Sequence, residues 1–205
     1  MPKKLYILLL LFFTPFLTTQ ALAADCTDIT ADDANTTISA NCTDLDISGD
    51  DTTTTIDSGV TVSTVNSSTN FALSFSGSTS GYITNNGTIN SLNNYGLNTS
   101  SSSTLTTLTN SGTISAVGAF GLYIYSTGTM TTLTNSGTIS TDDGDYGLYN
   151  RGATITTLTN TGTISAGTNK KDIYNSGTIT TFNNDQGKVG SDYVEWEYTL
   201  PTNYN

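Results

Sequence analysis

The sequence repeats with a period of 25 residues over much of its length. The motif Asn-x-Gly-Thr-Ile begins at residues 85, 110, 135 and 160, and three of its copies follow Thr-Thr-Leu-Thr. A degraded fifth copy occupies residues 180–189, and Tyr-Gly-Leu or a related tripeptide lies between successive copies. A unit of this size cannot bury its own apolar face, so the units have to stack on one another. The period therefore predicts a solenoid.

Composition within the unit favours β-strands over helices. Thr, Ser, Asn, Ile and Gly dominate, the apolar residues are flanked by hydroxyl-bearing ones, and long runs of helix formers are absent. The Asn-x-Gly segments are typical of turns. A coil of about 25 residues accommodates three short strands, and successive coils would stack at about 4.8 Å. We predict an all-β fold, a right-handed parallel β-helix.

Apolar residues that recur at the repeat period predict the columns of the core. Their neighbours are mostly Thr or Ser, as expected for strands with one buried face. The first predicted column contains Ile83, Leu108, Leu133, Leu158 and Phe182. The second contains Ile89, Ile114, Ile139, Ile164 and Val189, and the third contains Leu97, Leu122, Leu148 and Ile173.

One asparagine recurs at a turn of every coil. Stacked side-chain amides can hydrogen-bond to one another along such a column, which satisfies polar groups that have no partner in a strand ladder. Glycosylation is the alternative, but most of these residues are followed by Ser-Gly or Thr-Gly and so lack the acceptor sequence. We predict a structural column of Asn85, Asn110, Asn135, Asn160 and Asn184.

The N-terminus is typical of a secretory signal peptide. Two lysines at positions 3 and 4 precede the apolar run Leu5–Leu17, and small residues follow up to Ala24. The run covers thirteen residues, whereas a membrane span needs about 20. We predict a signal peptide over residues 1–23 and an exported mature chain. No second apolar segment of spanning length follows, so we predict no membrane span in the mature chain.

The region after the signal peptide departs from the repeat. Residues 24–55 do not follow the period, whereas residues 56–190 resemble successive coils. Atypical terminal units cover the open end of a stack, so we predict an N-terminal cap over 24–55. It contains Cys26 and Cys42, which an oxidising compartment favours as a disulfide. The alternatives are two free thiols or a metal pair, and a zinc site would lack further ligands because the chain has no histidine and no other cysteine.

Acidic residues dominate the charge of the chain. Without the signal peptide, four basic residues face seventeen acidic ones, a formal charge of −13. So acidic a surface repels phosphate backbones, which excludes nucleic acid as a partner. Nine aspartates between residues 25 and 57 raise the alternative of calcium binding. No EF-hand loop or Gly-Gly-x-Gly-x-Asp repeat accompanies them, so we predict a solvated acidic surface without a metal.

Candidate catalytic groups are sparse. The chain has no histidine, its two cysteines are predicted to be paired, and its many Ser and Thr residues offer no distinctive nucleophile. Arg151, Lys170 and Lys171 suggest an alternative in which the β-helix binds or cleaves an acidic polysaccharide, but no acid or base partner is defined. We predict that the protein is not an enzyme and has no cofactor.

Three segments resemble the passenger repeats of bacterial autotransporters, the type V secretion family. They are Tyr-Gly-Leu-Tyr-Asn at 146–150 and the Thr-Leu-Thr-Asn-x-Gly-Thr-Ile-Ser segments within 131–140 and 154–165; the resemblance covers residues 80–190. It implies export to the bacterial cell surface or outer membrane, or secretion, often for adhesion. The family carries a C-terminal β-barrel, for which the 205-residue sequence has no room. We therefore expect a fragment of a longer protein, with 191–205 a truncated extension.

Two sets of exposed side chains are candidate binding surfaces, for a surface receptor, a glycan or other cells. Threonines two positions apart on successive strands form a lattice that also suggests ice binding, although Thr is ordinary on an exposed strand face. Tyrosines near one edge of the repeat could contact a sugar or a protein, or simply stack on one another. The sets are Thr107, Thr109, Thr132, Thr134, Thr157 and Thr159, and Tyr123, Tyr146, Tyr149 and Tyr174.

Overall fold

A computed structural model describes residues 24–64, 70–125 and 129–184, together with the backbone of three short strands near the C-terminus. The predicted signal peptide lies outside the described residues. Throughout the described part the regular structure is β-strand, with 23 strands in three sheets. All pairs within the sheets are parallel. The predicted all-β solenoid is therefore confirmed.

The strands, numbered in chain order, divide among three sheets. The first sheet contains β1 (Ala24–Asp25), β3 (Cys42–Thr43), β6 (Thr61–Ser63), β9 (Thr88–Ser91), β12 (Thr113–Ala116), β15 (Thr138–Thr141), β18 (Thr163–Ser165) and β21 (Lys188–Val189). The second contains β4 (Leu45–Ile47), β7 (Phe71–Phe75), β10 (Tyr95–Thr99), β13 (Phe120–Tyr125), β16 (Tyr146–Arg151), β19 (Lys171–Asn175) and β22 (Val194–Trp196). The third contains β2 (Asn35–Ile38), β5 (Thr53–Ile56), β8 (Gly81–Asn85), β11 (Leu105–Asn110), β14 (Thr129–Asn135), β17 (Thr154–Asn160), β20 (Thr178–Asn183) and β23 (Asn203–Tyr204).

The chain visits the three sheets in turn, so three consecutive strands make one coil. Coil by coil, each strand lies between its counterparts of the preceding and following coils. Apolar side chains from all three sheets fill the interior of the coils. This arrangement leaves each coil in contact mainly with its two neighbours, as in other solenoids.

The three predicted core columns are confirmed by the strand register. Leu108, for example, pairs with Ile83 on one side and with Leu133 on the other, and its side chain is fully buried. The second predicted column, of isoleucines, and the third, which begins at Leu97, follow the same rule in the first and second sheets. Val189 continues the isoleucine column in the backbone register. Burying these methyl-rich side chains supplies most of the stabilisation of such a fold.

The glycine of each Asn-x-Gly turn is required by close approach between coils. A Cβ atom on Gly137 would overlap the carbonyl oxygen of Gly112 in the coil before it, and one on Gly162 would overlap that of Gly137. The amide of Gly137 also donates a hydrogen bond to the carbonyl of Asn110. The motif therefore keeps glycine because the turns stack directly on one another.

Residues 24–55, the predicted cap, form the first strands of the same stack. Their coils are shorter. The backbone N–H of Asp50 donates a hydrogen bond to the carboxylate of Asp32, which lies 18 residues earlier, whereas hydrogen-bonded partners in the repeat coils are 25 residues apart. Cys26 and Cys42 form the predicted disulfide, with their Cα atoms 4.9 Å apart. Because Cys26 follows β1 and Cys42 begins β3, this bond joins the first coil to the second.

In these short coils, aspartate carboxylates accept hydrogen bonds from backbone N–H groups of the next coil. The carboxylate of Asp32 accepts the N–H of Asp50 at 3.0 Å, and the carboxylate of Asp50 accepts the N–H groups of Ser78 at 2.6 Å and Thr79 at 3.1 Å. The hydrogen bonds from Thr79 and Ser78 hold the pKa of Asp50 below its ordinary value. Three of the nine aspartates that suggested calcium, Asp28, Asp32 and Asp50, therefore accept backbone N–H groups of the next coil.

Candidate functional site

The predicted asparagines lie in one column of the third sheet and hydrogen-bond along it. The Nδ2 of Asn110 donates to the Oδ1 of Asn135 at 2.7 Å, and Asn135 donates in the same way to Asn160 at 2.8 Å. Asn85 and Asn184 extend this chain of amides at its two ends. The side chains from Asn85 to Asn160 are fully buried. They hold turns together and present no surface for a ligand.

A second, shorter amide pair was not foreseen from the sequence. The Nδ2 of Asn150, in the second sheet, donates to the Oδ1 of Asn175 one coil later at 2.6 Å. The same Nδ2 also donates to the carbonyl oxygen of Ala153, and the Oδ1 of Asn150 accepts the N–H of Ala153. Both asparagines are buried. Their spacing of 25 residues, each with Gly or Ala two or three positions later, is the signal that could have identified them.

The predicted threonine set lies on the outer face of the third sheet. Its members are partly exposed and stand in register from coil to coil. Tyr82, with 42% of its surface exposed, interrupts one of the two columns. The regular lattice is therefore limited to a few coils. One column contains Thr37, Thr55, Thr84, Thr109, Thr134 and Thr159, and the other contains Thr53, Tyr82, Thr107, Thr132, Thr157 and Thr181.

The predicted tyrosines lie on a different face, the outer side of the second sheet. They are joined there by further aromatic residues, and their rings contact one another across four coils. The threonine and tyrosine sets therefore do not form one binding face. We define the aromatic surface as Tyr95, Phe120, Tyr123, Tyr125, Tyr146, Tyr149 and Tyr174.

Rings of the aromatic surface cover one another's faces. Tyr95 stacks on Phe120 with centroids 5.5 Å apart, Phe120 stacks on Tyr146 at 5.6 Å, and Tyr146 stacks on Tyr174 at 4.8 Å. The interplanar angles of these pairs are 18° to 26°. A ligand would therefore meet mainly ring edges and phenolic hydroxyls, because the stacked faces are occupied. Burial against these neighbours raises the pKa of Tyr95.

Arg151 is held at one edge of the aromatic surface. Its guanidinium donates a hydrogen bond to the hydroxyl of Tyr123 at 3.0 Å, and its Cζ lies 4.9 Å from the centre of the Tyr125 ring. The second contact is a cation–π interaction. The hydrogen bond to Tyr123 raises the pKa of Arg151 above its ordinary value. The sequence indicates this residue as a candidate cation but does not place it among the tyrosines.

The other two candidate cations lie at the opposite end of the strands. Lys170 forms an exposed ion pair with Asp145, with Nζ 2.6 Å from Oδ1, and Lys171 begins β19. Arg151 ends β16 and pairs in register with Tyr125, whereas Lys171 pairs with Tyr146. Five residues along a strand span about 17 Å, so Arg151 and Lys171 do not converge on one point.

An open concavity of about 530 Å³ lies on the first coil. It is lined by residues 24–31, 34 and 36–42, including the disulfide. Its titratable groups are aspartates alone. Across residues 24–64, 70–125 and 129–184, no three acidic or cysteine side chains converge where they could hold a metal ion. The concavity is the end surface of the described stack.

Comparison with protein-family models, with curated proteins and with solved structures finds no significant match for this chain. Over the part of the chain that the structure describes, no helix has the length and hydropathy of a membrane span.

Proposed function

We propose that this chain is an exported, non-enzymatic β-helical passenger that is displayed at a cell surface as an adhesin-like binding module or a spacer. The observation that carries the proposal is the coil-by-coil pairing of its strands. A fold in which each coil needs only its neighbour can form progressively as the chain emerges from a membrane. The N-terminal sequence also supports export, because its basic residues followed by an apolar run are typical of a signal peptide.

The distribution of side chains favours a binding role over a pure spacer. Two sheets present mostly hydroxyl groups, whereas the outer side of the second sheet carries an arginine and seven aromatic rings, six of them partly exposed and one, that of Tyr123, buried. Tyr and Arg dominate the energetics of binding surfaces. The ice-binding alternative is weaker because Tyr82 stands within the threonine lattice.

The placement of the cations favours binding over cleavage of a polysaccharide. Cleavage would need a base and charge-stabilising groups within reach of one sugar unit. Arg151 and Lys171 are separated by about 17 Å along the strands, and Lys170 is paired with Asp145. This arrangement supports the proposal of a protein without catalytic activity.

Surface display is tested by joining the full chain, through its C-terminus, to a functional outer-membrane β-barrel. We expect protease added to intact cells to digest the solenoid while the barrel stays folded. A variant with Lys3 and Lys4 replaced by glutamate, which removes the basic start of the signal peptide, should abolish this exposure. If the solenoid stays protected while the barrel assembles normally, the proposal is wrong and a freely secreted protein becomes the better explanation.

A further inference from the structure

From β7 to β19, and among the residues that the structure describes, the edge of the second sheet where the strands end carries one charged side chain, that of Arg151. In a chain with seventeen acidic and six basic residues, this positive charge has uncharged neighbours along this part of the edge. The equivalent positions in the neighbouring coils are Ser, Thr, Gly, Asn and apolar residues. The described residues of these uncharged segments are 75–81, 99–105, 125, 129–130 and 175–178.

The guanidinium of Arg151 is oriented before any ligand arrives. The Tyr123 hydroxyl and the Tyr125 ring fix its position from two sides, while the side chain remains exposed. A guanidinium has five N–H donors in a planar fork, and the bond to Tyr123 involves one of its nitrogens. The rest of the fork matches the two oxygens of a carboxylate. Such preorganisation lowers the entropic cost of binding.

The surroundings of Arg151 favour a hydroxylated anion. Aromatic rings carry a positive edge, and edges are what the aromatic surface presents outward. The phenolic hydroxyls of the aromatic surface add hydrogen-bonding groups that suit the hydroxyls of a sugar. We propose that Arg151, positioned by Tyr123 and Tyr125, binds the carboxylate of an acidic sugar in a short oligosaccharide. This inference rests on the proposed function as a surface binding module.

Charge decides between a short acidic glycan and a polyanion. The acidic residues nearest in the coil, Asp142 to Asp145, lie at the far end of β16, about 17 Å from Arg151. This separation exceeds the Debye length of about 8 Å at physiological salt. One carboxylate at Arg151 is therefore little repelled, whereas a long polyanion would extend over the acidic turns and coils.

Binding is tested with the purified full chain on immobilised sialyllactose, with lactose as the neutral probe. We expect sialyllactose to bind about tenfold or more tightly than lactose, the factor that one charge-assisted contact provides. Arg151→Gln keeps a long polar side chain but removes the charge, and it should reduce the preference to about twofold or less. Lys171→Ala, which removes the cation at the other end of the sheet, should preserve the preference.

Thermal unfolding of each variant identifies any loss of binding that follows from loss of fold. Equal affinity for both probes, no binding to either, or an undiminished preference in a folded Arg151→Gln variant would each overturn the inference. An equal loss in Lys171→Ala would also overturn it, because the effect would then reflect overall charge. The measurement uses purified protein, so its result is independent of whether the chain reaches a cell surface.

Discussion

Replacing Leu133 by alanine is expected to lower the free energy of unfolding by about 2 to 5 kcal/mol. The Leu133 side chain is fully buried and lies between Leu108 and Leu158 in the adjacent coils. Its truncation leaves a cavity that the backbone cannot close, because the hydrogen bonds of the third sheet fix the separation of the coils. Chemical denaturation followed by far-ultraviolet circular dichroism measures the loss.

Thr134 provides the matched control for Leu133. It is the next residue of the same strand, but its side chain points outward and is partly exposed. Thr134→Ala should change the free energy of unfolding by about 0.5 kcal/mol or less. Equal losses in the two variants would show that the inward and outward faces of the third sheet are wrongly assigned.

Replacing Asn135 by alanine is expected to lower the free energy of unfolding by about 2 to 5 kcal/mol, because buried acceptors lose their donor. The amide of Asn135 donates to Asn160 at 2.8 Å and to the carbonyl of Thr163 at 3.0 Å, and it accepts from Asn110. Alanine cannot replace any of these bonds, and the site is closed to water. Equilibrium unfolding in urea measures the effect.

Ser136→Ala is the control for the amide column. Ser136 is exposed, and its hydroxyl makes one long hydrogen bond, 3.3 Å, to the carbonyl of Asn110. We expect a loss of about 1 kcal/mol or less for this variant. If Asn135→Ala were as mild as Ser136→Ala, the amide column would contribute little and the asparagines would be kept for another reason.

The core columns could be predicted from the sequence because burial alternates along each strand and the same pattern of apolar residues recurs at the period of the repeat. Leu108 and Leu133 are 25 positions apart, and so are the residues that surround them. Local chemistry and stacking geometry therefore point to the same register. The disulfide was predictable for a different reason, since Cys26 and Cys42 are the two cysteines of the chain.

Other features depend on single insertions that the period conceals. Phe120 pairs with Tyr146, 26 positions later, because the turn before β16 is one residue longer than its counterpart. That shift makes Arg151 the register partner of Tyr125, whereas a strict 25-residue repeat would pair Tyr125 with Asn150. Likewise, the short coils of residues 24–56 use aspartates in place of the asparagine motif, so their register was not readable from the period.

The stacking of 25-residue coils is tested most directly by paired cysteines on the outer face of the third sheet. Thr107 and Thr132 are register partners one coil apart, about 4.8 Å, whereas Thr107 and Thr157 are two coils apart, about 9.6 Å. Cys26 and Cys42 are bonded to each other and do not compete. We predict that a bifunctional thiol reagent spanning one coil cross-links Thr107→Cys with Thr132→Cys in high yield and leaves the Thr107→Cys, Thr157→Cys pair largely unlinked. Equal yields for the two pairs, or a higher yield for the second, would contradict the coil register on which the whole account depends.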